Sequence, residues 1–412
     1  MKTANWPAFL TVDQLVPMTR ARLSILFGLL LALPINWTAA NSYYIDSQES
    51  FAIALDAATA GDTIAIAAGH YKNWTVVIDA EGSETEPITI EPEEPGTVAF
   101  TGTSNFEISG KHIHIKGLIF EDFEMVDRSS IQLDQAKNCR VSNILFQKAT
   151  GNRPVVRFMA GAQNNILERS RFKNIAGRSV NIHVNETAYE RGIPSGNVIR
   201  GNRFEDIPPI GGNGRETIKI GQNQPEFGHI KTYALVEGNT FIRANGEGEI
   251  ISNKSSNNIY RQNTFLDCRG ELVMRGGSYC LIENNRFYGC SGGIRLSGTN
   301  HKVRGNLIVN SDRTGIRLLY GMTTEQGGHY QTVRNCVVTR NTVLDAGSYG
   351  ILIGDGRDRD WEEKGMQSIA PRDNRFENNL IRATSGRHIQ SNHAPNNIVT
   401  NNILRQRFYP AP

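Results

Sequence analysis

The chain has 412 residues, ordinary apolar content and a formal net charge of +3, enough for one large domain or two ordinary ones. So slight an excess of positive charge argues against a protein that coats polyanions in general, nucleic acid included, but leaves room for a local basic groove. Five cysteines without a CxxC pair argue against a zinc site, and a chain this long builds a core without a disulfide scaffold.

In chain order, the first element is a targeting segment. MTRARLSILFGLLLALPINWTAA, from Met18 to Ala40, has a short basic region (Arg20, Arg22), an apolar run from Leu23 to Leu33 and a small-residue site ending at Ala40. The run is too short to span a bilayer and is closed by Pro34. It reads as a secretory signal in an extension covering 1–40, which makes the mature protein secreted or periplasmic, with no membrane partner, and leaves 41–412 as one domain. A buried N-terminal helix is the alternative. Next, SFAIALDAATAGDTIAIAAGHY predicts a helix from Ser50 to Ala60, a Gly-Asp turn and a strand from Thr63 to Ala67. A helix there would cap the exposed end of a solenoid.

Beyond residue 110 one phrase recurs: a turn, a few apolar residues, Asn, any residue, an apolar residue. NVIRGNRFEDI, ALVEGNTFIRA, NIYRQNTFLDC and CLIENNRFYGC are clear copies, anchored by Phe204, Phe241, Phe265 and Phe287. Most steps between anchors are 21 to 26 residues, and four longer ones predict inserted loops. Such a period, with β-type runs and no helical pattern, predicts an all-β, single-domain, right-handed parallel β-helix of about ten or more coils. Asn stands two residues before the anchor in eight of eleven coils: Asn202, Asn239, Asn263, Asn285, Asn306, Asn341, Asn379 and Asn402. A second slot, seven before the anchor, holds Asn165, Asn197, Asn258, Asn374 and Asn397, and also Cys139, Cys280, Cys336 and His301. Asn tolerates left-handed turns and bonds its copy one coil away, so both slots read as structural. Cys268 and Cys290 are equivalent in adjacent coils, a spacing that suits either a disulfide or a stacked thiol pair.

Four segments in consecutive coils break the pattern with charge: NGRETIKIG (Asn213–Gly221), NGEGEIISNKSS (Asn245–Ser256), GELVMRGG (Gly270–Gly277) and GGIRLSGTNH (Gly292–His301). Lys254 and Arg275 are 21 residues apart and Arg275 and Arg295 are 20 apart, so the three are expected side by side. Glu247 and Glu249 share a strand face by the period-two rule. With Asn213 or Glu216 from the preceding coil they would form an oxygen-rich site suited to a hard cation such as calcium, or else a solvated acidic edge balanced by Lys254 and Arg275. Lys254 lies an odd step from Glu249, so a bend near Ser252-Asn253 is needed to turn it into the same groove.

NGRETIKIG, EGEIISNKSSNNIYRQNTF and ELVMRGG, in that order, resemble the core motifs of polysaccharide lyase family 6, which holds alginate lyases and the dermatan-sulfate lyase chondroitinase B. The resemblance is close over the central coils and covers the solenoid in outline. It implies an acidic polysaccharide substrate, most plausibly mannuronate-containing alginate, cleaved by metal-assisted β-elimination. It implies Lys254 as the base at C5 and Arg275 as the acid at the leaving oxygen. It implies calcium held by Asn213, Glu247 and Glu249, with Glu216 as a further ligand or orienting group. Lys219 and Arg295 match substrate-binding arginines, and His301 closes the last of the four segments as a further substrate-binding candidate. Two positions depart from the family pattern: Lys219 stands where it has Arg, and Gly276 where it has the His of RHG. The alternatives are a dermatan-sulfate lyase and a non-catalytic polysaccharide-binding solenoid.

Overall fold

Each recurrence of the phrase closes one coil. The computed structural model describes residues 40–184, 195–222, 227–322, 330–361 and 365–405. Among these, short strands line up into three parallel sheets of fourteen, twelve and thirteen strands, each coil giving a strand to each sheet in turn. The connections wind as a right-handed solenoid, the hand that parallel crossovers take. The leader predicted over 1–40 falls almost wholly outside the described residues. Among the described residues, no helix is long and apolar enough to cross a membrane.

The interior follows from the two slots. The phenylalanine anchors stack through the core, from Phe172 on Phe204 at 4.7 Å to Phe265 on Phe287 at 4.4 Å. All eight asparagines of the first slot form one ladder. Asn239 donates from its backbone N–H and its side-chain amide to Asn263 Oδ1, both at 3.0 Å, and Asn263 does the same to Asn285. Each amide also donates back to a backbone carbonyl, as Asn263 does to Val236 at 2.9 Å, so a turn inside the wall leaves no orphan group. The cap is a helix over Gln48–Ala57, shifted from the expected Ser50–Ala60 because Ser47 takes the N-cap in a reciprocal capping box with Ser50. The strand after it runs Thr63–Ile66. All five cysteines are buried free thiols, so Cys268 and Cys290 are a stacked pair and not a disulfide.

The twelve-stranded sheet positions the charged segments. Four successive strands carry them, Ile218–Gly221, Glu249–Lys254, Glu271–Met274 and Ile294–Leu296, and Ile316–Leu319 follows as the next strand of the sheet. Beyond these, Gly321–Met322, Arg359–Asp360 and Met366–Ile369 pair as a small antiparallel sheet, an annex where the sequence shows only long loops.

Candidate active site

Lys254 decides the geometry. Opposite it in the register lies Gly221, in a left-handed conformation with φ +86°. A Cβ at Gly221 would come within 2.8 Å of the Lys254 backbone, so the last residue of NGRETIKIG has to be glycine for the two strands to close. The parity problem is solved upstream of the expected bend. The register slips between Glu249 and Ile251, a bulge that buries both isoleucines and returns Glu249, Ser252 and Lys254 to one face. Ser252 Oγ accordingly donates to Glu249 Oε2 at 2.5 Å. Asn253 faces the core with every polar atom engaged: its amide donates to the carbonyls of Ser255 and Gly276, and its oxygen accepts from Tyr260 and Asn258. This fixes the chain on both sides of Lys254.

The Lys254 side chain is 0% exposed and donates from Nζ to Glu216 Oε1 at 2.8 Å. Burial lowers its pKa and Arg275 adds to the effect, against the pull of Glu216 and Glu249. Burial alone would raise Glu216, yet Lys254 and Arg178 outweigh it and hold that carboxyl at about 2. Arg178 grips the other oxygen of Glu216 at 2.8 Å and the Gly214 carbonyl at 2.9 Å. Glu249 is also held below its ordinary value, because Arg295 and Arg275 overcome its burial. Glu247 moves the other way: burial and the neighbouring Glu216 raise it, although the Arg215 N–H donates to its Oε2 at 2.7 Å.

One oxygen from each of Glu216, Glu247 and Glu249 lies within 4.8 Å of the others. Carboxylate oxygens so close are what a hard cation takes, and the raised pKa of Glu247 marks the place where negative charge is least compensated. The residues fit such an ion. Asn213 is exposed and its oxygen accepts from the Gly214 N–H at 2.9 Å, so that oxygen serves a local turn.

The arginines do not form the expected ladder. Arg275 follows the strand end beside Lys254, 3.7 Å from Glu249 Oε1. Arg295 instead pairs in register with Val273, two residues earlier, because the coil step there is 22 residues and not 20. It reaches Glu249 from two coils further on and stands 3.8 Å from Glu271 of the intervening coil. Lys219 faces outward next to Ser252 and is held at about 8 by burial, with Lys254 and Arg178 adding to the shift. His301 is a correction. It is 0% exposed, its Nδ1 accepts from the Cys280 N–H at 3.1 Å and its Nε2 meets the Ser297 carbonyl at 3.0 Å, so it fills an asparagine slot and does not reach the groove.

Several residues escaped sequence reasoning. Arg178 lies one coil before Glu216 but 38 residues away, because an insertion hides the spacing. Glu271, Arg317 and Asp355 continue the ion network from Arg295, with Arg317 donating to both carboxylates at 2.5 Å. The repeat of GIRL at 293–296 and 315–318 was the available signal for Arg317. These residues line a cavity of about 710 Å³ beside the triad, together with Gly248 and Leu352. From the annex, the Tyr330 ring lies 5.3 Å from the Arg275 guanidinium, and Gln331 Oε1 accepts from the Gly277 N–H. The annex therefore supports the strand end where Gly276 contributes no side chain.

Known proteins share this fold. The PL6 family polysaccharide lyase Pedsa3628 from Pseudopedobacter saltans is 25% identical, with a TM-score of 0.75 over 88% of this chain and 92% of that one. The PL6 family alginate lyase AlyGC is also 25% identical, with a TM-score of 0.68 over 90% of this chain and 52% of AlyGC. A mannuronic acid specific family 6 lyase from human gut microbiota is 23% identical and shares the fold, with a TM-score of 0.69 over 86% of this chain and 83% of that one. No curated protein matches. The profile of the family described as Chondroitinase B matches residues 45–406, and by that match the chain belongs to this family of polysaccharide lyases, family 6.

Proposed function

We propose that the chain is a secreted or periplasmic lyase that cleaves mannuronate-containing alginate by β-elimination. The observation that carries this reading is a fully buried lysine amine inside a carboxylate triad, with an arginine at its side. Lys254, once neutral, takes the proton from C5 of a uronate residue. The C5–H electron pair forms the C4–C5 double bond and the C4–O4 bond breaks. Arg275 stabilises the leaving oxygen by charge and hydrogen bonding, and water completes its protonation, since a guanidinium seldom gives up a proton. Arg178 competes with Lys254 for Glu216, which eases release of the amine from its ion pair. Lys219 and Arg295 are the cations that meet the substrate's acid groups. The Nε atoms of Arg275 and Arg295 are buried without a hydrogen-bond partner, two donors for an incoming anion. Glu216, Glu247 and Glu249 would hold a calcium ion, which supplies charge that neutralises the uronate carboxylate.

The test is ultraviolet absorbance from the new double bond, on poly-mannuronate, poly-guluronate, whole alginate and dermatan sulfate, with and without a chelator. Absorbance on mannuronate polymers, at least about 10³-fold lower in Lys254→Ala, is the expected result. Activity on dermatan sulfate alone would move the substrate assignment. Polymer binding without turnover would make the chain a binding solenoid.

A further inference from the structure

The turn between the twelve-stranded sheet and the fourteen-stranded one has one position in the left-handed region in eleven successive coils, from His112 to Asn396. Six of its occupants are asparagine; one each is aspartate, histidine and glycine. The other two are Tyr233 and Tyr279, at φ +51° and +57°. An aromatic residue is strained there, where the neighbours carry the short polar side chains or glycine that the conformation favours. Nor do the rings gain burial in return, being 51% and 62% exposed. A rule kept along the solenoid and broken without a packing gain marks a functional position.

Place gives the function. Tyr233 follows the strand that carries Lys219, Tyr279 follows Arg275 by four residues, and between them in register stands Asn257, three residues beyond Lys254. The two tyrosines therefore stand on the ridge that bounds the candidate active site. One coil separates them, so their backbone positions are about 10 Å apart along the ridge, two strand spacings. That matches the reach of two linked pyranose rings. The neighbouring column on this ridge narrows to Ser256, Ser278 and Thr299, with Lys231 and Arg334 at its ends. Hydroxyls lock the shoulder: Ser278 N–H donates to Ser256 Oγ, and Ser278 and Thr299 share a hydrogen bond, both at 2.8 Å. The result is a rigid, low shelf with two aromatic faces and a cation at either end.

We propose that Tyr233 and Tyr279 form a stacking platform for pyranose rings of an acidic polysaccharide, extending the polymer's contact beyond the catalytic groove. Sugar rings present axial C–H groups to an aromatic face, and carboxylates on the polymer meet Lys231 and Arg334. The proposal rests on the lyase reading for its choice of polymer, but not on turnover.

The test replaces both tyrosines by the residue the ladder itself prefers, in Tyr233→Asn/Tyr279→Asn of the full chain. Retardation is read in cold gels cast with alginate, with dermatan sulfate and without polymer. Melting temperature and lyase turnover are measured in parallel. The expected result is a Tm equal to or about 1–2 °C above the parent with about tenfold weaker retardation by polymer. A raised Tm with unchanged retardation overturns the platform, as does a parent that neither polymer retards. Tyrosine-dependent retardation without turnover keeps the platform and sinks only the lyase reading. Turnover with tyrosine-independent binding does the reverse. Tyr233→Phe/Tyr279→Phe, which keeps both ring faces, should bind as the parent does.

Discussion

The asparagine wall and the charged strip on the twelve-stranded sheet are built on the same coils by opposite means. In the wall, one residue type repeats, each amide satisfies its neighbour, and the unit of stability is a pair of coils. In the strip the residue type changes at most steps: Lys219, Ser252, Val273, and then the arginines Arg295 and Arg317 succeed one another in one column. Charges there are largely buried and answered by partners one or two coils away. The wall gains order from sameness, while the strip holds unlike charges that the wall's rigidity keeps in place.

Breaking the wall should have the largest effect. Asn263→Ala removes the acceptor of two Asn239 donors and the donor to Val236. We expect a loss of about 3–5 kcal/mol in chemical denaturation, with turnover per folded molecule unchanged. A variant that stays stable would mean the ladder is ornamental to the solenoid.

Next in size is the pH response of the one imidazole that stands in an asparagine slot. Burial holds His301 at about 4, below its ordinary 6.5. The folded form therefore binds fewer protons than the unfolded form between these values. Its contribution is complete above pH about 6.5 and is lost as pH falls towards about 4, a change of up to about 3 kcal/mol. His114 and His183 are pushed to about 4 in the same sense, by burial and nearby cations. His301→Asn should flatten part of the acid limb of stability and leave turnover at neutral pH intact. A collapse of turnover with the fold intact would return His301 to the active site.

The smallest effect sharpens the strip. Lys219 is held at about 8, so above that pH its charge disappears and contact with a uronate carboxylate weakens. Lys219→Arg keeps the charge and offers a fork for the carboxylate. We expect kcat/KM to hold to higher pH in the variant and to rise severalfold at about pH 9, read from rate profiles. Identical profiles would remove Lys219 from substrate contact.

How much of this was legible depended on repetition. The fold and the first asparagine slot are legible because most coils restate them. Of the site, the segments were legible but not all of their joins. The placement of Arg295 failed on a two-residue error in step length, and Arg178 was hidden behind an insertion. His301 was drawn toward the groove by its place in a charged segment, although its register already marked it as structural. The bulge at Ile250, which puts Lys254 on the face of Glu249, leaves no mark in a sequence that reads as an unbroken strand.

The sequence by itself determined the solenoid, its core and the neighbourhood of the charges, because these follow from local periodicity and from side chains that bond to copies of themselves. Only the tertiary structure decided which charge meets which: Lys254 on Glu216, Arg295 on Glu249, Tyr330 over Arg275. Those contacts join residues 38, 46 and 55 positions apart, across coils whose lengths differ, and a single bulge or insertion changes every partner downstream.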